Sequence, residues 1–233
     1  MCSSDLPLEW ASALLLLGAG GGLAIHALRH RRDVLGLILA GGLALVLVVI
    51  AMEEISWGQR LFGFATPETL AELNWQSEFN FHNVQTDLSE TAYYFGAGVF
   101  LILLPLLRDL LPLRVASHPL LALAPRRSVA LVSAPVAMFN YGHWNLLPIQ
   151  LTILLALWAL LAWARAAARR SDGREQALFL AAALAVLAGQ ALFLAFGSAM
   201  PDLPDATEYK EYFIALGFAW YAATVAFPRA PGR

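Results

Sequence analysis

Seven apolar stretches separated by polar connections dominate the chain: residues 8–28, 34–52, 92–107, 129–139, 147–164, 177–200 and 212–227. Most of them approach the roughly 20 residues that a helix needs to cross about 30 Å of hydrocarbon. The fourth is short and contains Pro135, which predicts a kink, a tilt or an extension past Arg127. The pattern predicts an all-α, polytopic membrane bundle of seven helices. Six helices are the alternative, if the fourth stretch does not span.

The composition supports a bilayer as the solvent. Hydrophobic residues make up 59% of the chain and charged residues 14%, with a mean hydropathy of +0.63, which is more apolar than ordinary soluble domains. No repeat or soluble domain is visible, so residues 1–233 are predicted to form a single transmembrane domain with no nucleic-acid partner. The opening MCSSDL resembles translated sequencing-adapter sequence, and we expect residues 1–6 to be non-native.

The basic residues predict the orientation of the protein. Thirteen of the 15 Lys and Arg residues fall in alternate connections between the apolar stretches. Because basic residues accumulate in cytoplasmic connections, the amino terminus is predicted outside and the carboxyl terminus inside a bacterial inner membrane. This parity requires seven spans. Arg60, Lys210 and 13 of the 17 acidic residues fall on the outer side. Either that acidic face attracts cations, or it has no function, because acidic residues have little influence on membrane topology.

The long outer connection, residues 53–89, begins with the motif EEISWGQR. If the preceding helix continues, Glu53, Trp57 and Arg60 share one face and Glu54 points elsewhere. One glutamate would then pair with Arg60. The alternative is a salt-bridged helix end with Trp57 in the aromatic belt. Further along the connection, Thr66 is predicted to cap a short interfacial helix.

The same connection ends with NWQSEFNFHN, residues 74–83. In an extended segment its polar side chains would share one side and its aromatic side chains the other. The polar positions are Asn74, Gln76, Glu78, Asn80 and His82, and the aromatic ones are Trp75, Phe79 and Phe81. Either the polar side lines a site, or the segment is a plug whose amides satisfy one another.

Together, EEISWGQR and the NWQSEFNFHN block resemble the signature of a family of uncharacterised bacterial multi-pass inner-membrane proteins. The resemblance covers residues 53–83 and is carried by the paired glutamates, SWGQR and the terminal HN. It implies a multi-pass membrane fold and no particular activity.

Two further polar groups are predicted at the same outer level. The fourth stretch ends in NYGHWN, which contains Asn140, Tyr141 and His143. His82, His143 and Glu54 could bind a divalent metal, although no close ligand spacing supports this, and both histidines could instead be structural. At the start of the last helix, Glu208 and Glu211 share a face. Lys210 points elsewhere by the helical period, so the partner of the two glutamates would be Arg60, a metal or a substrate amine. The alternative is that they form a solvated helix start.

These groups lead to one functional hypothesis. The protein carries a polar, acidic outer site that acts, as a membrane-embedded hydrolase or transferase, on a lipid or lipid-linked substrate. The predicted catalytic residues are Glu53, Glu54, Glu78 and His82. The predicted substrate-binding residues are Trp57, Arg60, Trp75, Asn80, Asn83, Asn140, Tyr141, Glu208 and Glu211. The alternatives are a small cation or solute transporter, and an accessory subunit that docks a partner through its outer loop.

Overall fold

The chain is all-α in the described parts of the computed structural model, which are residues 6–74, 76–116, 118–143, 147–196 and 206–227. The long helices are α1 (Leu6–Arg29), α2 (Val34–Glu54), α3 (Thr86–Leu110), α4 (Arg127–Ser133, continued by a 3-10 helix, Ala134–His143), α5 (Leu147–Arg169), α6 (Gly173–Phe196) and α7 (Ala206–Ala226). Short helices occupy Gln59–Phe62 and Glu68–Leu73 between α2 and α3, and Leu113–Ala116 between α3 and α4.

Five of these helices, α1, α2, α3, α5 and α6, are long and apolar enough to cross a membrane. The chain is therefore a multi-pass membrane protein. Helix α7 is equally long, but Glu208, Lys210 and Glu211 lie in its first turns and lower its mean hydropathy. Helix α4 has only seven α-helical residues before its geometry changes.

The change of geometry in α4 occurs where Pro135 was predicted to disturb it. The α-helix ends at Ser133, and the tighter 3-10 helix follows. Proline has no backbone N–H and cannot continue the regular hydrogen-bond ladder. Gln190 of α6 supplies substitute donors, because its Nε2 lies 2.7 Å from the carbonyl oxygen of Ala137 and 3.0 Å from that of Met138. This buried glutamine therefore stabilises the irregular helix.

Helix α7 lies at the centre of the bundle. It packs along α1 and against both parts of α4. It also contacts α3, where Phe100 stacks on Phe218 with ring centroids 5.6 Å apart and meets Tyr221 edge-on at 5.0 Å. The polar residues at the start of this helix consequently face protein on several sides.

Replacing Gly217 by alanine is expected to destabilise the bundle. A Cβ atom at this position in α7 would collide with Oγ of Ser133 and lie 3.0 Å from Cδ1 of Leu101. Overpacking of this kind costs about 1–3 kcal/mol, measurable as a lower denaturation temperature in detergent. Gly96→Ala is the matched control, because a Cβ at Gly96 meets open space. Equal stability of the two variants would contradict the close packing around α7.

Candidate functional site

The end of α2 turns sharply instead of continuing as a helix. The helix ends at Glu54, and Ser56, Trp57 and Gly58 then adopt left-handed conformations with φ of 48°, 53° and 77°. Such angles cost free energy at the two residues that are not glycine. The prediction that Glu53, Trp57 and Arg60 share a helical face is therefore wrong.

Glu53 stabilises the turn and binds the far end of the loop. Its Oε1 accepts a hydrogen bond from the Trp57 indole N–H at 2.6 Å. Its Oε2 accepts the backbone N–H groups of Phe81 at 2.7 Å and His82 at 3.0 Å, and Nδ1 of His82 lies 3.5 Å away. One carboxylate thus joins the two motifs that were singled out in the sequence.

A second set of contacts joins the same motifs around Glu78. Its Oε2 accepts the Ser56 hydroxyl at 2.6 Å, and its Oε1 lies 2.5 Å from the Arg60 guanidinium. The Asn80 amide donates to Ser56 Oγ at 3.2 Å and accepts from the Asn74 amide at 2.7 Å. The geometry therefore supports the plug, in which these polar side chains satisfy one another.

We call the hydrogen bonds between residues 53–60 and residues 74–82 the clasp. Gln59 also takes part in it. Its Oε1 accepts the backbone N–H of Phe79 at 2.7 Å, and its amide donates to Thr66 Oγ1 at 2.7 Å. Thr66 therefore adjoins the clasp and contacts both of its sides, because its hydroxyl also donates to the Ser77 carbonyl oxygen at 2.9 Å. The interfacial helix forms at Glu68–Leu73 as expected, but Thr66 does not cap it.

Arg60 is held by two carboxylates from elsewhere in the chain. Besides Glu78, it contacts Glu9 of α1 at 3.3 Å. Partial burial opposes the charged form, but the bond to Glu78 and the charges of Glu78, Glu9 and Glu208 raise the pKa of the guanidinium. The pairing of Arg60 with a glutamate of α2 was expected only if that helix continued, and the helix ends at Glu54.

Beneath the clasp, Glu54 and Glu211 form a carboxyl pair. Both side chains line one apolar and one polar cavity. The Tyr94 hydroxyl donates to Glu211 Oε1 at 2.6 Å. Lys210 is completely buried, with Nζ 3.8 Å from the centroid of the Tyr94 ring. Lys210 thus lies inside the cluster, and the prediction that it points away from it is wrong.

Helix α3 contributes to the cluster through an irregular segment. Residues Thr91–Phe95 are π-helical, a geometry that is frequent at functional sites. The phenol oxygen of Tyr93 in this segment is buried and has no hydrogen-bond partner among the described residues. It is therefore available to a bound molecule.

Two adjoining cavities surround the carboxyl pair. The larger, ≈ 330 Å³, lies between α2 and α3, and its apolar walls include Val46, Val49 and Ile50. The smaller, ≈ 140 Å³, has a polar lining drawn mainly from the loop, α3 and α7. Both are lined by Glu54, His82, Glu90, Tyr94 and Glu211. The carboxyl pair thus faces an apolar cleft on one side and a polar chamber on the other.

Most of the predicted site residues meet here, and some do not. The residues that line at least one cavity are Glu53, Glu54, Asn80, His82, Asn83, Glu208 and Glu211. The described residues Trp57, Arg60 and Glu78 belong to the clasp, outside both linings. Asn140 is buried against α5, where its amide donates to Thr152 Oγ1 at 2.8 Å.

Three predicted residues are not settled by the structure. Trp75 lies outside the described residues, as do the side chains of Tyr141 and His143. Within the described part of the chain, no group of three or more His, Cys, Asp or Glu residues is arranged to hold a metal ion. The metal site of His82, His143 and Glu54 remains a prediction.

Sequence reasoning missed Glu9, Glu90, Tyr93, Tyr94 and the burial of Lys210. Glu90, Tyr93 and Tyr94 follow one another at i, i+3 and i+4, the spacing that places side chains on one helical face. That pattern at the start of α3 could have identified them. Glu9 offered no such signal, because only the packing of α1 brings it to the smaller cavity.

Comparison of the chain with protein-family models, curated proteins and solved structures finds no match. The geometry of the site therefore carries the functional argument.

Glu53→Gln is expected to loosen the clasp. The substituted amide presents an NH₂ group where the carboxylate accepts backbone N–H groups, and hydrogen bonds to a charged group contribute about 1.5–3 kcal/mol each. Hydrogen exchange followed by mass spectrometry should show the amides of Phe81 and His82 exchanging roughly tenfold faster or more. Glu72→Gln, at an exposed position of Glu68–Leu73, is the control. Unchanged exchange in Glu53→Gln would contradict the role of this carboxylate.

Proposed function

We propose that the chain belongs to the bacterial inner-membrane family that its loop motifs resemble, with seven spans, the amino terminus outside and the carboxyl terminus in the cytoplasm. The alternating basic residues support this orientation. Along α3, Glu90 at the carboxyl pair and Arg108 at the opposite end are eighteen residues apart, about 27 Å of helix. This length matches the hydrocarbon thickness. The clasp and the carboxyl pair then lie at the outer face.

In this orientation the outer cavities bind a lipid or lipid-linked molecule. The larger cleft has apolar walls, and Val46 and Val49 are 51% and 41% exposed on the surface that would face lipid. A ligand with an apolar chain can enter sideways and place its polar head at the carboxyl pair. A cavity of ≈ 330 Å³ is within the size range of small-molecule sites.

The charge of the site indicates the type of head group. Glu54, Glu90 and Glu211 line both cavities, while Lys210 is the basic residue packed beside them. An excess of carboxylates favours a head group that is positively charged or rich in hydrogen-bond donors. A strongly anionic head group would be repelled.

The carboxyl pair supplies the chemistry, and the observation that carries the proposal is that Glu54 and Glu211 line both cavities together beside Tyr94. Two carboxyl groups that share one proton can act as base and acid in the same step. The unprotonated member accepts a proton as the oxygen of a water or hydroxyl group attacks the electrophilic atom of the substrate and forms the new bond. The bond from that atom to the leaving oxygen then breaks, and the protonated member donates its proton to the leaving oxygen. Water as the attacking group gives a hydrolase, and a second hydroxyl gives a transferase.

Transport is less well supported, because apolar side chains fill the bundle beneath the site. Leu16, Leu47, Leu101 and Ile214 come from four helices and are at most 1% exposed. Gln190, a buried polar residue of α6, binds carbonyl groups of α4 and offers no inward polar path.

An accessory role is the second candidate, because the loop presents apolar side chains to its surroundings. Leu61, Phe62 and Phe81 are 64%, 79% and 61% exposed. An enzyme would bury the aromatic side of residues 74–83 beneath the polar side, whereas an accessory subunit would expose it. Of these aromatic residues, Phe81 is exposed and Phe79 is half-buried. An exposed aromatic surface of this kind fits either the membrane interface or a partner protein.

Glu54→Gln and Glu211→Gln are expected to abolish turnover without unfolding the protein. Each amide keeps the shape and hydrogen bonding of the pair but removes the shared proton, and positioned acid–base groups contribute roughly 100-fold or more to rate. Purified protein is incubated with a bacterial envelope lipid extract, and mass spectrometry follows each lipid class over time.

Glu72→Gln, an exposed glutamate in the loop, controls for loss of charge. Wild type and Glu72→Gln should convert the same component, and the two pair variants should leave it unchanged at wild-type thermal stability. If wild type converts nothing, or if both pair variants retain full activity, the enzymatic proposal fails. Inactive wild type that co-purifies with a protein bound through Phe62 and Phe81 would favour the accessory role.

A further inference from the structure

A second, larger cavity lies at the opposite end of the bundle from the carboxyl pair. Its volume is ≈ 610 Å³, and it is enclosed by the end of α3, the start of α4 and the end of α5. Six arginines line it: Arg108, Arg126, Arg127, Arg165, Arg169 and Arg170. Asp109 is the one acidic residue in its described lining.

Three of the arginines are engaged by protein groups. Arg108 donates to the carbonyl oxygen of Ala124 at 2.6 Å. Arg127 and Arg170 both bind Glu175, at 3.1 Å and 2.5 Å. A single carboxylate therefore serves two guanidinium groups, and this part of the cavity remains positively charged.

The other three, Arg126, Arg165 and Arg169, have no side-chain hydrogen bond or ion pair with any described residue, and all three are exposed. Asp109 forms no ion pair with them; its Oδ2 accepts the indole N–H of Trp163 at 2.9 Å, and one carboxylate cannot balance three guanidinium charges. Guanidinium groups held around one cavity repel each other unless an anion lies between them.

The floor of the cavity is apolar, and a groove adjoins it. Leu106 and Trp163 are 1% and 3% exposed beneath the arginines. Arg126 also lines a neighbouring groove of ≈ 380 Å³ together with Trp220 and Phe227, which are 41% and 72% exposed. A charged rim beside an apolar groove has the shape that accepts a phosphate group attached to an acyl chain.

We propose that the arginine cavity binds the phosphate group of an anionic ligand. Guanidinium presents paired N–H donors that match phosphate oxygens, and basic pockets between membrane helices bind lipid head groups. Two sources share this chemistry, a phospholipid of the adjacent leaflet and a soluble phosphate ester. The proposal is independent of the function proposed for the carboxyl pair, because the two sites share no lining residue.

The positive-inside rule alone does not explain why these arginines converge on one cavity. Arg29, Arg31 and Arg32 lie at the same end of the bundle, in the turn between α1 and α2, and they line no part of the arginine cavity. The positive-inside rule accounts for charge at this end of the helices, but it does not require six side chains to converge. The turn therefore provides a control with the same charge.

The experiment compares two triple variants, each lacking three positive charges. One is Arg126→Gln with Arg165→Gln and Arg169→Gln, and the other is Arg29→Gln with Arg31→Gln and Arg32→Gln. Binding of phosphatidylglycerol to detergent-solubilised protein is measured by native mass spectrometry, with glycerol 3-phosphate as the soluble probe. The cavity variant should lose roughly tenfold or more in affinity, while the turn variant should bind like wild type.

The two probes identify the source of the phosphate. Arginine-dependent binding of phosphatidylglycerol alone indicates a lipid site, and equal binding of glycerol 3-phosphate indicates a soluble ester. Equal losses in the two triple variants, or no binding of either probe to wild type, would overturn the proposal. If the triple cavity variant does not fold, Arg165→Gln and Arg31→Gln make the same comparison with one charge each.

Discussion

The carboxylate of Glu53 holds the end of α2 to the loop that returns to α3, and the arrangement of the loop end of the bundle depends on it. By accepting the N–H groups of Phe81 and His82, it offsets the cost of the left-handed turn at Ser56 and Trp57. It also brings His82 to the cavities that surround the carboxyl pair. Most polar side chains of the two loop motifs form hydrogen bonds within the clasp, so the main role of these motifs is structural.

The helices, and not the loop, carry the carboxyl pair. Glu54 follows the clasp residue Glu53, and Glu211 follows the buried Lys210. Both glutamates nevertheless face a cleft between α2 and α3. Helix α7 is central because it carries charged residues that lipid would not tolerate, and its neighbours shield them. At the other end of the bundle the arginines converge on their own cavity. The molecule therefore has an acidic site and a basic site separated by an apolar core.

The sequence was sufficient for the all-α, multi-pass fold class, because the length of the apolar stretches acts through the bilayer and not through particular contacts. It also contained most of the predicted residues that line the two cavities beside the carboxyl pair. The irregular geometry of α4 followed from Pro135. The turn at Ser56 was not predictable, since its left-handed angles depend on partners more than twenty residues away in the chain. The burial of Lys210 was missed for a similar reason: helical periodicity gives a direction, and only the packing of α3 against α7 decides what lies there.

The proposed sharing of one proton by Glu54 and Glu211 is the central claim, and infrared spectroscopy of the purified protein tests it most directly. A protonated carboxyl group has a carbonyl band distinct from that of an ionised carboxylate. We expect wild type and Glu72→Gln to show this band, and Glu54→Gln and Glu211→Gln each to lose it. Absence of the band from wild type, or its persistence in both pair variants, would contradict the account.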